Sequence, residues 1–261
     1  MRLSILFGII GLALSFSFSL KKKYSFIPPG TVSITESFFA DEAEVSNLAW
    51  QEYEFWTAYK YGKNSKEHFQ TLPDTLVWRT PGFYNEMYAA YYYRHPAYKG
   101  YPVVGISYEQ ALAYCAWRTE CVRDSYVRSK KKDLHIQYRL PTKSEWELIS
   151  DHRTPVFFRA GKNEKGMYQL NCQRQIESVK KGDSQFMAAY ADITTPVYSY
   201  WKNGFGLFNA FGNVSEMISE KGISKGGSWH HALEECRPGK DILYSKAEAW
   251  LGFRCVCTVS R

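Results

Sequence analysis

Oxygen-bearing side chains are concentrated in one short segment, Gly206-Leu-Phe-Asn-Ala-Phe-Gly-Asn-Val-Ser-Glu216, which also contains two glycines. Glycines relax the backbone, so that side-chain and carbonyl oxygens can converge on one point. Oxygen-only ligation suits a hard cation, above all Ca²⁺, which accepts about six to eight oxygens. An Asn/Gly-rich turn without a metal explains the same residues, and the local sequence leaves both interpretations open. The residues of this predicted turn are Asn209, Gly212, Asn213, Val214 and Glu216.

The composition is that of a folded chain with a large core. Of the 261 residues, 45% are hydrophobic and 17% aromatic, which excludes an intrinsically disordered protein. The length predicts a single domain, since domains run to roughly 250 residues. The net charge of +7 is modest, and the basic clusters Lys21–Lys23 and Arg128–Lys132 have no interleaved aromatic residues. A nucleic-acid partner is therefore not expected.

The N-terminal segment has the features of a secretory signal peptide. Met1-Arg2 precedes an apolar run from Leu3 to Leu14, and Ser17 and Ser19 form a small-x-small cleavage site. We therefore expect residues 1–19 to be a signal peptide, 24–261 to be the mature domain, and the protein to be periplasmic, associated with the outer membrane, or extracellular. An uncleaved membrane anchor is the alternative, because the apolar stretch is close to the lower length limit for a membrane-spanning helix.

The predicted export decides which chemistry we expect of the cysteines. An even number of cysteines in an oxidising compartment predicts disulfides, although spacing alone does not select their pairing. The sequence contains no CxxC pair, and Cys255-x-Cys257 is too closely spaced for a zinc knuckle, so zinc is not expected. The six residues are Cys115, Cys121, Cys172, Cys236, Cys255 and Cys257.

Apolar spacing and capping residues predict the first two helices. A first helix follows Ser46, with Leu48, Phe55 and Tyr59 at helix-like spacing. Ser107-Tyr-Glu-Gln110 is a capping box that opens a second helix. The residues expected on one face of the second helix are Ala111, Leu112 and Cys115.

The remaining elements predict a mixed fold. Thr142-Lys-Ser-Glu145 caps a third helix that carries Trp146 and Ile149. Short strands are expected around Pro28–Gly30, and the alternation from Leu134 to Leu140 predicts a half-buried strand. Residues 61–100 are rich in Tyr, Pro and Gly without a sustained period, which predicts a long loop insertion held by aromatic packing. Early helices followed by irregular β structure indicate an α+β fold.

Seven sequence motifs then occur in an order typical of one family. They are Phe26-Ile-Pro-Pro-Gly30, Glu44-Val-Ser-Asn47, Tyr101-Pro-Val-Val-Gly-Ile-Ser107 with Ala113-Tyr-Cys-Ala-Trp117, Arg139-Leu-Pro-Thr-Lys-Ser-Glu-Trp146, the segment from Gly206 to Glu216, Lys225-Gly-Gly-Ser-Trp229 and Leu251-Gly-Phe-Arg254. Together they cover almost the whole chain after the predicted signal. The chain thus resembles the formylglycine-generating-enzyme (sulfatase-modifying-factor) domain family, which implies a C-type-lectin-like α+β fold.

Two further segments resemble one branch of that family. Leu72-Pro-Asp-Thr-Leu-Val-Trp-Arg79 and Tyr93-Arg-His-Pro-Ala-Tyr98 are similar to segments of gliding-motility and type IX secretion lipoproteins of the bacterial envelope. No cysteine lies between residues 1 and 114. The lipid attachment of that branch is therefore not expected here.

The resemblance implies a calcium site and one disulfide. In the family, the matching segment holds calcium, and the corresponding ligands here are the side chains of Asn209 and Glu216 and the carbonyls of Gly212 and Val214. The cysteines that match Cys115 and Cys255 pair in the family. The pairing of Cys121, Cys172, Cys236 and Cys257 stays open.

The catalytic residues implied by the resemblance are only partly present. The family's enzymes oxidise a substrate cysteine with two active-site cysteines that bind copper, and thiolates are soft ligands suited to Cu(I). Counted from Gly226-Gly227-Ser228, those positions hold His231 and Cys236, and the active-site Trp is Ser215. Copper is therefore not expected, although Ser228, His231 and Cys236 remain candidate catalytic residues.

These residues favour a non-catalytic, calcium-stabilised protein that acts as a binding or structural component of the bacterial envelope. Its partner would be an envelope or secretion-apparatus protein or a glycan, recognised by the aromatic-rich residues 61–100. Membrane association through an uncleaved N-terminal segment is compatible with this function. The alternative is a metal-dependent oxidase in which His231 and Cys236, with His230, form altered ligands. A G-x-S-x-G elbow of a hydrolase does not occur.

Overall fold

The computed structural model of the protein describes residues 26–79, 86–128, 134–151, 161, 163–173 and 193–260. Within these residues, helices and short strands are mixed along the chain, which agrees with the predicted α+β class. The helices are α1 (Asn47–Tyr61), α2 (Lys66–Phe69), α3 (Glu86–Tyr91), α4 (Tyr108–Arg128) and α5 (Lys143–Asp151). The strands are β1 (Thr31–Ser33), β2 (Phe38–Asp41), β3 (His135–Arg139), β4 (Ser215–Met217), β5 (Ile223–Lys225), β6 (Ile242–Leu243), β7 (Leu251–Gly252) and β8 (Val256–Ser260).

The strands form two four-stranded sheets. The first has the order β1-β2-β8-β3 and is antiparallel throughout. The second has the order β6-β5-β4-β7, in which only β4 and β7 are parallel. In the second sheet Glu216 lies opposite Lys225 on one side and Gly252 on the other. This register places the end of the Gly206–Glu216 segment in the centre of a sheet.

The predicted capping boxes are confirmed. At the start of α4, Gln110 N donates to Ser107 Oγ at 3.2 Å, and Ser107 N donates to the side chain of Gln110 at 2.7 Å. Thr142 and Glu145 make the same reciprocal pair of bonds at the start of α5. Each box satisfies backbone N–H groups that a helix start leaves without partners.

The apolar residues that indicated α1 point away from the core. Leu48, Phe55 and Tyr59 are 53%, 61% and 76% exposed. The buried face of α1 carries Trp50 and Tyr53 instead, and Trp50 stacks on Tyr114 of α4 with ring centroids 5.4 Å apart. The spacing thus predicted the helix correctly but not the face that it buries. In α4, Ala111 and Cys115 are buried as expected, whereas Leu112 is exposed.

The sequence predicted a long loop for residues 61–100, but the described part of this segment contains short helices. Besides α2 and α3, 3₁₀ turns lie at Thr75–Trp78 and Pro96–Tyr98. The predicted aromatic packing is present, because the Trp78 ring contacts Tyr92 at 4.7 Å and stacks on Trp229 at 5.9 Å. Ring packing therefore connects residues 61–100 to Trp229, the residue after Ser228.

No helix in the described part of the chain is both long and apolar enough to cross a membrane. The predicted signal peptide, residues 1–19, and the basic clusters Lys21–Lys23 and 129–132 lie outside the described residues. The signal peptide and the proposed anchor therefore stay predictions.

Cys115 and Cys255 lie next to each other in the core. Their Sγ atoms are 3.5 Å apart, and both residues are buried between α4 and the start of β8. All six cysteines are thiols in this structure. The proximity is compatible with the expected disulfide, which stays a prediction.

We expect Cys115 and Cys255 to form a disulfide when the protein is produced in an oxidising compartment. The two residues are 140 positions apart, and closing so long a loop stabilises the folded state by about 4–5 kcal/mol in the chain-entropy model. Urea unfolding with and without reductant should show a difference of that order, and Cys115→Ser should abolish it. Cys121→Ser, at an exposed position of α4, is the matched control. Unreduced protein in which alkylation modifies both Cys115 and Cys255 would contradict the prediction.

Candidate functional site

The segment from Gly206 to Glu216 folds as the tight turn that the sequence predicts. Asn209, Gly212 and Asn213 have positive φ angles of 45°, 77° and 63°, a region that glycine and asparagine tolerate better than other residues. A Cβ atom on Gly212 would lie 2.4 Å from the backbone oxygen of Asn171. Only glycine therefore allows this close approach of two backbone segments.

The carboxylate of Glu216 is fully engaged in a buried ion pair with Arg254. Both side chains are 1% exposed. Arg254 Nε donates to both Glu216 oxygens at 2.8 Å, and Nη2 donates to Oε1 at 2.6 Å. Trp146 Nε1 donates to Oε2 at 2.7 Å. The shared Nε–H, one Nη2–H and the Trp146 Nε1–H thus engage both carboxylate oxygens.

Arg254 also connects the turn to the first sheet. Its Nη1 donates to the backbone oxygen of Asp41 in β2 at 3.2 Å, and its Nη2 donates to the carbonyls of Phe208 and Asn209 at 2.9 and 3.2 Å. Burial alone would lower the pKa of Arg254, but the adjacent Glu216 carboxylate raises it overall. The guanidinium is thus a permanently charged centre of the site.

Glu44 is a site residue that the sequence did not identify. Its two oxygens accept hydrogen bonds from Asn209 Nδ2 at 3.2 Å and Asn213 Nδ2 at 2.9 Å. Burial raises its pKa to about 8, an effect that Arg254 opposes and Glu216 reinforces. Glu44 belongs to the quoted motif Glu44–Asn47, which was the only sequence signal for it. The site therefore holds two buried carboxylates near one guanidinium.

The two asparagines hold the neighbouring segment 193–197 in place. Asn209 Nδ2 donates to Val197 O at 3.0 Å, and Asn213 Oδ1 accepts from Thr195 N at 2.7 Å. Gly212 donates its N–H to Gly226 O at 2.8 Å. Val214 is buried in the cluster that contains Trp78. The structure thus brings the expected calcium ligands into one turn, but the side chains of Asn209 and Glu216 face different partners.

The donor set fits a calcium ion in kind, since amide, carbonyl and carboxylate oxygens are present. Three N–H groups of Arg254 and Trp146 already engage both oxygens of Glu216. An ion at Glu216 would therefore compete with Arg254 for the carboxylate. Calcium binding stays a prediction.

The side chains of His231 and Ser228 are hydrogen-bonded to each other. Ser228 Oγ and His231 Nδ1 are 2.6 Å apart, and Ser228 has no exposed surface. The His231 ring also packs edge-on against Trp250 at 4.8 Å. Burial lowers the pKa of His231 to about 4, an effect that Glu235 opposes and His230 reinforces. The imidazole is consequently neutral at physiological pH.

The Cys236 side chain packs against the backbone of the same segment. Its Sγ lies 3.9 Å from the carbonyl oxygens of both Ser228 and His231. Burial, followed by the nearby Cys172, raises the pKa of the Cys236 thiol well above its usual range. Among the described residues, no group of three or more His, Cys, Asp or Glu side chains is placed to hold a metal ion. His231 and Cys236 are thus held by different contacts, His231 by the Ser228 hydroxyl and Cys236 by backbone carbonyls.

Ser215, at the position of the family's active-site Trp, has a structural contact in the second sheet. It is fully buried, and its hydroxyl donates to Ser224 Oγ at 2.7 Å and contacts Lys225 O at 3.1 Å. The hydroxyl therefore joins β4 to β5.

Lys225 is a second residue whose role the sequence did not reveal. Its side chain is fully buried, and Nζ donates to Glu147 and Asp241, each at 2.9 Å. The ammonium also lies 5.8 Å from the ring centroid of Trp146. Trp146 thus packs against Lys225 while it donates to Glu216.

Glu216→Gln should lower the free energy of unfolding by about 3–5 kcal/mol, because it removes the charge that pairs directly with the buried Arg254 guanidinium. Glu109→Gln is the matched control, since it removes the carboxylate of an exposed pair with Lys221 and should have little effect. Urea unfolding of both variants measures the difference. Equal, small losses in the two variants would show that the buried pair does not hold the site together.

Comparisons with known proteins show the family to which the chain belongs. A family model described as sulfatase-modifying factor enzyme 1-like domain matches residues 13–259. The formylglycine-generating enzyme of Mus musculus is 25% identical over 230 residues, which cover 77% of this chain and 52% of that enzyme. The enzyme of the same name from Mycobacterium tuberculosis is 31% identical over 120 residues, covering 45% of this chain and 32% of that enzyme.

The chain thus spans about half the length of the mouse relative. Among solved structures, CarF superposes with a TM-score of 0.53 at 16% identity, covering 85% of this chain and 87% of that one, which shows a shared fold. The family model, in contrast, matches nearly the entire sequence. The chain therefore belongs to the sulfatase-modifying factor enzyme 1-like domain family.

Proposed function

We propose that the protein is a non-catalytic member of this family that acts as a binding or structural component of the bacterial cell envelope. The proposal includes export, directed by residues 1–19, and a role of the kind found in gliding motility or type IX secretion. The partner class is an envelope protein or a glycan, and nucleic acid is excluded from the proposal because the basic clusters lack interleaved aromatic residues.

The observation that carries this proposal is the state of the residues at the two catalytic positions. The thiolate is the form of cysteine that binds Cu(I). Cys236 is buried and its pKa is raised, so the thiol form is favoured. His231 replaces the other cysteine and is bonded to the buried Ser228. This arrangement favours a preserved scaffold over preserved copper chemistry.

One observation favours the alternative, a metal-dependent oxidase with altered ligands. The neutral imidazole is the form of histidine that binds metals, and the pKa of His231 is lowered to about 4. A site that uses it would also need the Cys236 thiol to lose its proton. The two functions therefore predict opposite results in a metal titration.

We expect the reduced protein to bind no stoichiometric Cu(I) in competition with a chromogenic chelator, and to show no turnover in a thiol-oxidation assay. Both results follow from the replacement of one of the two thiolate ligands by His231, which is bonded to Ser228. One equivalent of tightly bound Cu(I) that is lost in Cys236→Ser, but retained in the control Cys121→Ser, would overturn the non-catalytic function.

Structural calcium is a separate part of the proposal. Its support is the donor set, because amide, carbonyl and carboxyl oxygens lie together in one buried turn beside Glu44. The proposed ligands remain the Asn209 and Glu216 side chains with the Gly212 and Val214 carbonyls.

Chelation with EDTA should therefore lower the melting temperature, and added Ca²⁺, but not Mg²⁺, should restore it. A ligand at 100 times its Kd stabilises the folded state by about 2.7 kcal/mol, which calorimetry detects easily. Glu216→Gln should abolish the calcium-dependent shift. An unchanged melting temperature in EDTA would show that Arg254 alone neutralises this site.

A further inference from the structure

An open groove of about 1150 Å³ lies where α1 and α4 meet, and none of the residues discussed as calcium or copper ligands lines it. It follows α4 from Glu109 to Asp124, a distance of about 22 Å at 1.5 Å per helical residue. The outward face of α1 forms its other side. Its size and openness suit a chain segment better than a small molecule.

One side of the groove is an aromatic wall. Trp56, Tyr59 and Tyr61 line it and are 48%, 76% and 52% exposed. Trp56 contacts Tyr59 edge-on at 5.6 Å, and Phe55 extends the same surface at 5.5 Å from Trp56. Isolated exposed apolar residues are normal, but a contiguous exposed patch marks an interaction surface.

The other side of the groove is acidic. Glu109, Glu120 and Asp124 project from α4, and Glu67 lies in α2, whereas Lys60 is the only Lys or Arg among the described residues that line the groove. The sign is opposite to the net charge of +7 for the whole chain. The groove therefore repels anions such as phosphates and acidic lipid headgroups, and attracts cations.

We propose that this groove docks a basic, Arg- or Lys-bearing peptide segment of a partner protein. Cations bind the faces of Trp and Tyr rings, and guanidinium groups form charge-assisted hydrogen bonds with carboxylates. A length of about 22 Å holds about six or seven extended residues. The inference rests on the proposed binding function, and it places the contact on α1 and α4 and not on residues 61–100 as a whole.

Two lysines of the chain already contact aromatic rings at this groove. Lys60 Nζ lies 5.1 Å from the ring centroid of Tyr61. At the groove end near Glu109, Lys221 forms an ion pair with that carboxylate and lies 5.8 Å from the Tyr108 ring centroid. An ammonium between an aromatic ring and a carboxylate is therefore a geometry that this surface supports.

The test is fluorescence anisotropy with a labelled peptide in which Arg and Lys alternate with Ala, compared with the same peptide carrying Glu. The basic peptide should bind with an affinity that falls as salt rises, and the acidic peptide should not bind. Glu120→Gln/Asp124→Asn and, separately, Trp56→Ala should each weaken binding at least about tenfold. Glu36→Gln/Glu164→Gln removes the same charge from exposed positions elsewhere and should leave affinity unchanged.

Cys121 gives an independent readout, because its exposed thiol lines the groove. In reduced protein, bound basic peptide should slow its alkylation by maleimide. No binding of the basic peptide, equal loss in the control variant, or unprotected Cys121 would overturn the proposal. So would a neutral glycan whose binding needs Trp56 but not Glu120 and Asp124, or a dimer of the chain that Glu120→Gln/Asp124→Asn dissociates. Failure here with no Cu(I) bound leaves the non-catalytic function intact, whereas tight Cu(I) binding refutes that function whatever the groove does.

Discussion

The buried ion pair between Arg254 and Glu216 connects both sheets, the Gly206–Glu216 turn and α5. Arg254 reaches Asp41 in the first sheet, Glu216 in the second, and the carbonyls of Phe208 and Asn209 in the turn between them. Glu216 in turn fixes Trp146 of α5. A charge so deeply buried is tolerated only with its partner, so neither residue can be lost alone without a large cost in stability. The site is therefore first of all a structural centre.

The features that the sequence predicted correctly are local ones. The capping boxes at Ser107 and Thr142 need only residues three positions apart, and the turn at Gly212 needs only its own backbone freedom. The role of Glu44 was not predictable, because its partner Asn209 is 165 residues away. The outward face of α1 was missed for a related reason. Apolar spacing reports a helix, but only the packing partner decides which face is buried.

The residues around Ser228 and Ser215 have structural contacts of their own. The bond between Ser228 and His231 and the burial of Cys236 stabilise the segment after β5. The Ser215 hydroxyl joins β4 to β5 in the second sheet. None of these residues lines the groove on α1 and α4. The proposed binding surface is thus separate from the residues that hold the two sheets together.

The position of β8 between β2 and β3 has a kinetic consequence. Asp41 at the end of β2 bonds to Cys255, which is 214 residues later in the sequence. The first sheet cannot form until the chain has been made almost to its last strand, and closing so long a loop is slow. During synthesis, β1 and β2 can therefore form only an isolated two-stranded hairpin, which is marginally stable by itself. The open edge of β2 is therefore exposed until β8 has been made, which leaves the partly made chain open to pairing with other strands.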